Sequence, residues 1–576
     1  MFWMNLVALP ALLACLLGAG LMRGECWGAE ATPLPRSDAN GNPLRRAPTG
    51  HVSNYDEGKA GGYTLPDPLA MRDGTPVEWA EDWFNRRRPE LIGLYESHIY
   101  GRVPATAPKV TFEVAESSGE AMEGRAIRRH VIGTLEGEPE ARFNVYLYLP
   151  AKAAKPTPVF LHLMFFGGDP VPAADAPPRR FDEAGPVAEI LAAGYGYATM
   201  RYTEIEGDSR TNNLSGVRRL ALKPGQAGPA AEEWGTISAW AWGASRVLDY
   251  FQTDALIDAT RVGLIGHSRL GKTVLWAGAR DPRFALVFSS CSGEMGAALA
   301  RRDYGETVDD MAANFPWQFA GRFQDYPGRW DAMPVDAHLL IALNAPHPVF
   351  ITGGTRDQWA DPHGQFLAQV AAGPVYRLLG RNDVGVTELP PLDTPLITGH
   401  LGFHYHTGGH TITPEDWRAF LKFSDRHLLA KTEGVAQAQA DAGTTARREE
   451  RSLKQVAGDR FKVVTRGRWW ADGGRHREEL ARFDPYKDGL PEEIQQRLAA
   501  QYVVLFQLFD EYRDLIERVS FWNLHDGQSW LNYFPWQRTN HPLLFDRNRQ
   551  TKPAFDAVYE ALEASRTGGR AHSRPF

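Results

Sequence analysis

The sequence predicts an α/β chain built around a mostly parallel central sheet, and three observations carry that expectation. Short apolar runs alternate with longer amphipathic segments between about residues 142 and 354. One run, from Val159 to Phe166, is interrupted only by His162 and ends in Gly167-Gly168, which suits a strand covered on both faces. Another, from Val262 to Gly266, passes directly into a glycine-bracketed turn and then an amphipathic helix.

The elements follow in order. Residues 32–75 are rich in Pro, Gly, Asn and Asp and read as an irregular lead-in lying on the surface. Helical character begins near Trp79, and Phe143 to Leu149 is strand-like. After the run at 159–166 come a helix over Ala188 to Ala193, a strand over Tyr197 to Arg201 and a long helix from about Glu232 to Phe251. The strand Val262 to Gly266 leads to a helix over Gly271 to Ala279, followed by strands at Ala285 to Ser289 and Val349 to Gly354. Near Leu429 the texture changes: residues 431–460 hold few large apolar side chains and read as a linker, and 461–576 has its own aromatic-rich character.

With 576 residues the chain is long enough for two to four folded units at about 150 residues each. The 63 Lys and Arg against 70 Asp and Glu give a net charge of −7, so no nucleic-acid partner is expected. The apolar stretch Leu6 to Met22, with Arg23 and the small-residue site Ala29-Glu30-Ala31 behind it, predicts a signal peptide over residues 1–31 and export to the periplasm or medium. Leu12-Leu13-Ala14-Cys15 offers a lipid anchor as the alternative. Removal of that segment leaves Cys291 as the single cysteine, so an intrachain disulfide is not expected.

Gly266-His267-Ser268-Arg269-Leu270-Gly271-Lys272 joins a buried strand to a helix. A serine at such an apex is pushed clear of the sheet, and the helix N-terminus behind it favours developing negative charge. Ser268 is therefore the candidate nucleophile. The generic hydrolase elbow is G-x-S-x-G, whereas here the second glycine stands one residue later. The partners should follow in the order acid, then histidine. Asp357, just after the strand at 349–354, is placed as a sheet-edge carboxylate, and the base comes from among His400, His404, His406 and His410. His410 is the choice, because Gly408-Gly409-His410 is a flexible loop entering a helix capped by Thr413-Pro414-Glu415-Asp416. Gly402, Gly408 and Gly409 break any helix that would align these histidines on zinc, so neither metal nor cofactor is expected.

These residues resemble carbohydrate esterase family 15, the glucuronoyl esterases, particularly its bacterial branch. The likeness spans about Tyr55 to Leu428. It is carried by Tyr63 to Pro68, Glu233-Trp234-Gly235, Ala239 to Gly243, the G-x-S-R-x-G-K turn at 266–272, Arg301 to Thr307, Thr355 to Pro362 and Gly408-Gly409-His410. The resemblance implies a three-layer α/β-hydrolase sandwich. It also implies Ser268 as nucleophile, His410 as general base and acid, and Arg269 as oxyanion stabiliser through its backbone N–H and guanidinium. Lys272, Glu306 and Trp359 are similar to the family residues that hold the uronic acid ring. Many members carry the triad acid in an E-S-G or D-S-G segment that here reads Cys291-Ser292-Gly293. The acid role then falls on Asp357, with Glu294 three residues off register as the fallback.

The tail carries a second resemblance. Glu478 to Tyr486, Phe521 to Asn532 and Pro542 to Asp546 are similar to the C-terminal part of a glycoside hydrolase family 10 xylanase, a (β/α) barrel. Such barrels need about 250 residues, and 461–576 is less than half of that, so a partial barrel fragment is expected. The nucleophile position of that family reads Arg466 here and its acid/base half is missing, so no xylanase activity is expected. Trp522 and Trp530 could still contact sugar.

The function implied is hydrolysis of the ester between (4-O-methyl-)glucuronic acid of glucuronoxylan and lignin alcohols, through a glucuronoyl-enzyme and without an obligate protein partner. Two alternatives are an acetyl or feruloyl xylan esterase and a non-catalytic xylan-binding protein.

Overall fold

The computed structural model describes residues 35–153, 156–171, 183–429, 491–511, 526 and 544–567. The signal segment, the linker at 431–460, Arg466, Trp522 and Trp530 lie outside them.

Among the described residues one sheet has nine strands: β1 (Val110–Glu120), β2 (Ala126–Leu135), β3 (Arg142–Pro150), β4 (Thr157–Met164), β5 (Gly196–Arg201), β6 (Ile257–His267), β7 (Phe284–Ser290), β8 (Val349–Gly354) and β9 (Leu401–His406). Their order is β1-β2-β3-β5-β4-β6-β7-β8-β9. From β5 through β9 every pairing is parallel, and β1, β2 and β3 add an antiparallel edge. β3 matches the strand expected over Phe143 to Leu149, whereas β1, β2 and β9 are not marked in the sequence. β1 faces solvent along most of its length and carries Glu and Ser, so it lacks the apolar signal; in β2 the run Arg128-Arg129-His130 interrupts the apolar residues, although none of the strand is fully exposed. β9 is written in Gly, His and Tyr, and is buried nonetheless.

Helices cover both faces, as the strand alternation dictates. Val159, Leu161 and Leu163 of β4 point into one core, shared with α1 (Arg88–His98). Phe160 points into the other, shared with α2 (Val187–Ala192). The first layer continues with α3 (Thr236–Phe251), α4 (Arg269–Arg280), α5 (Val308–Asn314), α6 (Ala337–Ala342) and α7 (Pro362–Leu378). α8 (Pro414–Ser424) completes the second layer with Trp417, Phe420 and Phe423. Burying one such side chain contributes about 1.5–3 kcal/mol, so this double core holds the sheet; Cys291, the cysteine among the described residues, is free. α3 starts four residues later than its sequence pattern. Gly235 lies against the backbone of residue 318, where an added Cβ would sit 2.3 Å from the Gln318 carbonyl, and the chain must approach extended there.

The lead-in is irregular as expected, yet it is tied down. Two isolated bridges, Ser37 to Pro43 and Arg46 to Val52, fold it into small hairpins. In the tail, α9 (Glu492–Glu511) and α10 (Pro553–Thr567) pack against each other. Lys552 there pairs with the buried carboxylate of Asp526 at 3.0 Å. The described residues of the tail contain no strand of the expected barrel.

Candidate active site

β6 ends at His267, and the next residue turns the chain. Ser268 has φ 57° and ψ −129°, a conformation that costs a non-glycine residue about 1–3 kcal/mol and is retained where surrounding packing enforces it. Its backbone N–H donates to the Ser290 carbonyl at 2.8 Å, fastening the turn to β7. Gly266 is required because a Cβ there would lie 2.2 Å from the Leu270 carbonyl. Gly271, the displaced glycine, lets α4 settle on the β7 end: an added Cβ would meet Ser292 Cβ at 2.8 Å and Ser289 Oγ at 2.9 Å. Position 270 can then hold the fully buried Leu270, where the generic elbow has glycine.

Asp357 follows β8 and His410 follows β9. Their side chains meet: His410 Nδ1 lies 2.7 Å from Asp357 Oδ2, with the carboxylate buried and the imidazole 44% exposed. Ser268 and His410 are not hydrogen-bonded to each other in this structure, a gap of the kind that closes on substrate binding. His267 links them. Its ring stacks at 4.4 Å from that of His410, tilted by 56°. Burial holds the His267 pKa well below the usual histidine value, so an uncharged ring faces His410.

The other histidines do not join this pair. His404 Nδ1 lies 2.7 Å from Asp416 Oδ1, His406 Nε2 lies 3.6 Å from Asp416 Oδ2, and the His400 ring packs on His427 at 4.8 Å. Asp416 is also the capping-box carboxylate of α8, bonded to Thr413. Among the described residues, the one grouping of metal-type donors is Cys291, Asp357 and His410, whose atoms lie within 4.8 Å of one another. Cys291 thus occupies the end of β7 beside the acid–imidazole pair, and burial, with Asp357 next to it, pushes its thiol pKa far up. The fallback Glu294 is elsewhere. It is fully buried, its pKa is raised by burial, and the charges acting on it are Asp336, Lys272, Glu306 and Asp361.

Arg269 begins α4, so its backbone N–H is among those without an intrahelical acceptor. Its guanidinium lies over Phe315 at 5.0 Å and Phe165 at 5.8 Å and pairs with Asp208 at 2.6 Å. Sequence reasoning missed Asp208. This buried carboxylate also accepts from Tyr202 Oη (2.9 Å), Trp317 Nε1 (2.8 Å) and Gln318 Nε2 (2.8 Å). No motif marks it, because its donors come from three separate stretches of chain.

One turn along α4, Lys272 Nζ is buried 3.7 Å from Glu306 Oε2 and 3.9 Å from Met311 Sδ. Burial lowers the Lys272 pKa, opposed by Glu306 and Glu294; burial raises that of Glu306, opposed by Lys272. The Glu306 backbone N–H donates to the Trp359 carbonyl at 2.8 Å, and the Trp359 side chain favours the charged form of the Glu306 carboxylate. Lys272, Glu306 and Trp359 therefore stand together as a polar, aromatic-edged group on the α4 side of Ser268.

A mixed sheet sandwiched by helices, with its polar residues gathered where the parallel strands end, defines the class as an α/β-hydrolase. Comparison with known proteins narrows it. A family model described as glucuronyl esterase, fungi, matches residues 229–380. Carbohydrate esterase MZ0003, from an unknown prokaryotic organism, is 40% identical over 406 residues, covering 66% of this chain and 93% of its own. The 4-O-methyl-glucuronoyl methylesterase of Schizophyllum commune is 29% identical over 328 residues, 55% of this chain and 74% of its own. The solved glucuronoyl esterase from Solibacter usitatus superposes with TM-score 0.61 at 42% identity, covering 64% of this chain and all of that one. A CE15 glucuronoyl esterase from Teredinibacter turnerae gives 0.60 at 36%, covering 66% and 95%. The chain belongs to carbohydrate esterase family 15, the glucuronoyl esterases. A glycosyl hydrolase family 10 model matches residues 477–561 of the tail.

Proposed function

We propose that this esterase hydrolyses the ester joining the carboxyl of (4-O-methyl-)glucuronic acid on glucuronoxylan to a lignin alcohol. The observation that carries the reading is the buried Lys272–Glu306 pair one helical turn from the strained Ser268. A desolvated ammonium and carboxylate beside an indole suit hydroxyls and a ring oxygen; an acetyl or feruloyl group would leave them unpaired.

Ser268 Oγ attacks the ester carbonyl and His410 takes its proton, while Asp357 holds the imidazole and stabilises the imidazolium. The oxyanion forms beside the Arg269 backbone N–H and guanidinium, where one such donor contributes roughly 3 kcal/mol. His410 then protonates the departing alcohol, and water, deprotonated by the same ring, releases glucuronic acid from Ser268. Neither metal nor cofactor enters this scheme. Export suits a polymeric substrate of the plant cell wall.

Turnover of benzyl glucuronate against acetylated xylan tests the reading. Wild type should release benzyl alcohol from the first and little acetate from the second, and Ser268→Ala should abolish the release. A non-catalytic xylan-binding protein would release neither product. Acetate release alone would move the activity to the acetyl esterase alternative.

A further inference from the structure

The lead-in at 35–60 reaches the sugar side of the site. Its hairpin is held by paired hydrogen bonds between Arg45 and Ser53, donated by the Arg45 N–H to Ser53 Oγ and by the Ser53 N–H to the Arg45 carbonyl, each 3.1 Å. It docks on the segment that carries Glu306. His51 Nε2 lies 2.9 Å from Asp303 Oδ1 and its ring packs edge-on against Trp330 at 5.2 Å. Thr49 bonds Asp309, and the Asn54 carbonyl accepts from the Gly305 N–H at 2.8 Å. Arg45 itself is exposed, and its guanidinium lies over the Trp359 ring, 4.9 Å from the centroid.

We propose that Arg45 is a positioning residue for the sugar ring, acting through Trp359 on Glu306. Trp359 is partly buried, and Arg45 covers one face of its indole. A cation over one face holds the ring by its quadrupole. Residue 359 is thereby held where its carbonyl accepts from the Glu306 N–H, and the Glu306 carboxylate in turn faces Lys272 Nζ. The result is a chain of contacts from an exposed arginine of the lead-in to a buried lysine on α4. With Arg45 removed, one face of the indole is open to water, and the Trp359, Glu306 and Lys272 groups that meet the uronic acid are less firmly preorganised. This inference rests on the glucuronoyl esterase reading.

The test is steady-state kinetics of wild type, Arg45→Met and Arg45→Lys on benzyl glucuronate and on 4-nitrophenyl acetate, an ester without a sugar. Arg45→Met keeps a stem of similar length and the backbone bonds to Ser53. It should raise KM for the glucuronate roughly two- to fivefold with kcat nearly unchanged, the size of an exposed cation–π contact. Arg45→Lys should recover most of that, and 4-nitrophenyl acetate should be cleaved equally by all three. An unchanged KM for the glucuronate, or an equal loss on both esters, would overturn the inference while leaving the esterase reading intact. A wild type that cleaves the acetate and ignores the glucuronate would overturn both.

Discussion

Asp208→Asn is the most informative single change, because it keeps the shape of the side chain and removes the charge that anchors Arg269. The carboxylate gathers four donors, and the guanidinium is one of them at 2.6 Å. An amide in its place turns an NH2 group toward donors. If the guanidinium were wholly released, the loss would approach that of one oxyanion donor, roughly 3 kcal/mol. The Arg269 backbone N–H stays, however, and Phe315 and Phe165 still flank the side chain. About half the loss is expected, ~1.5 kcal/mol, or about tenfold in kcat. KM should move less than about twofold, because the oxyanion exists only after attack. The assay is benzyl alcohol release at saturating substrate, well below the unfolding temperature, in wild type, Asp208→Asn, Arg269→Met and the double variant. Since Asp208 acts through Arg269, the double variant should be little slower than Arg269→Met alone. Multiplying losses, or an unchanged kcat in folded Asp208→Asn, would refute the reasoning.

Three further outcomes are expected. Asp357→Asn should lower kcat by about 10³–10⁴ through loss of imidazole orientation, whereas Glu294→Gln should keep kcat within about threefold; the reverse ranking would transfer the acid role. Cys291→Glu in the Asp357→Asn background should restore at least about tenfold of the lost rate, because position 291 already lies beside the pair; a silent double variant would show that no carboxylate at the β7 end reaches His410. Acidification should destabilise the fold. Burial lowers the pKa of His400 and His427 to about 4, and that of His162 to about 3, against about 6.5 when unfolded. Below about pH 6.5 the unfolded chain binds protons that the folded chain refuses, so their contribution is present above that pH and is lost as pH falls toward 4. The double variant His400→Gln, His427→Gln should lose about 1 kcal/mol less than wild type between pH 6.5 and 4.5, allowing for the partial exposure of both rings, as read by urea midpoints.

What could be read directly from the chain was local. The elbow at Ser268 is legible because a left-handed serine between a strand and a helix needs Gly266 behind it, and that requirement is steric and short-ranged. The same holds for the runs that became β4, β6, β7 and β8, whose apolar residues have no other use. β1, β2 and β9 were not legible. Their apolar residues are broken up by Glu and Ser in β1, by Arg128-Arg129-His130 in β2 and by Gly402 and two histidines in β9, and pairing with neighbouring strands completes what their own composition leaves unmarked.

Partnership was settled only by the tertiary structure. Four histidines sat within a few residues of one another, and sheet register decided that His404 and His406 turn to Asp416 while His410 turns to Asp357. Asp208 meets Arg269 from 61 positions away, and Arg45 reaches Trp359 from a segment that reads as mere loop. A turn or an amphipathic face is fixed by sterics among adjacent residues, so a sequence by itself determines it. An ion pair or a stacked ring depends on where distant backbone arrives, and only the packed sheet decides that.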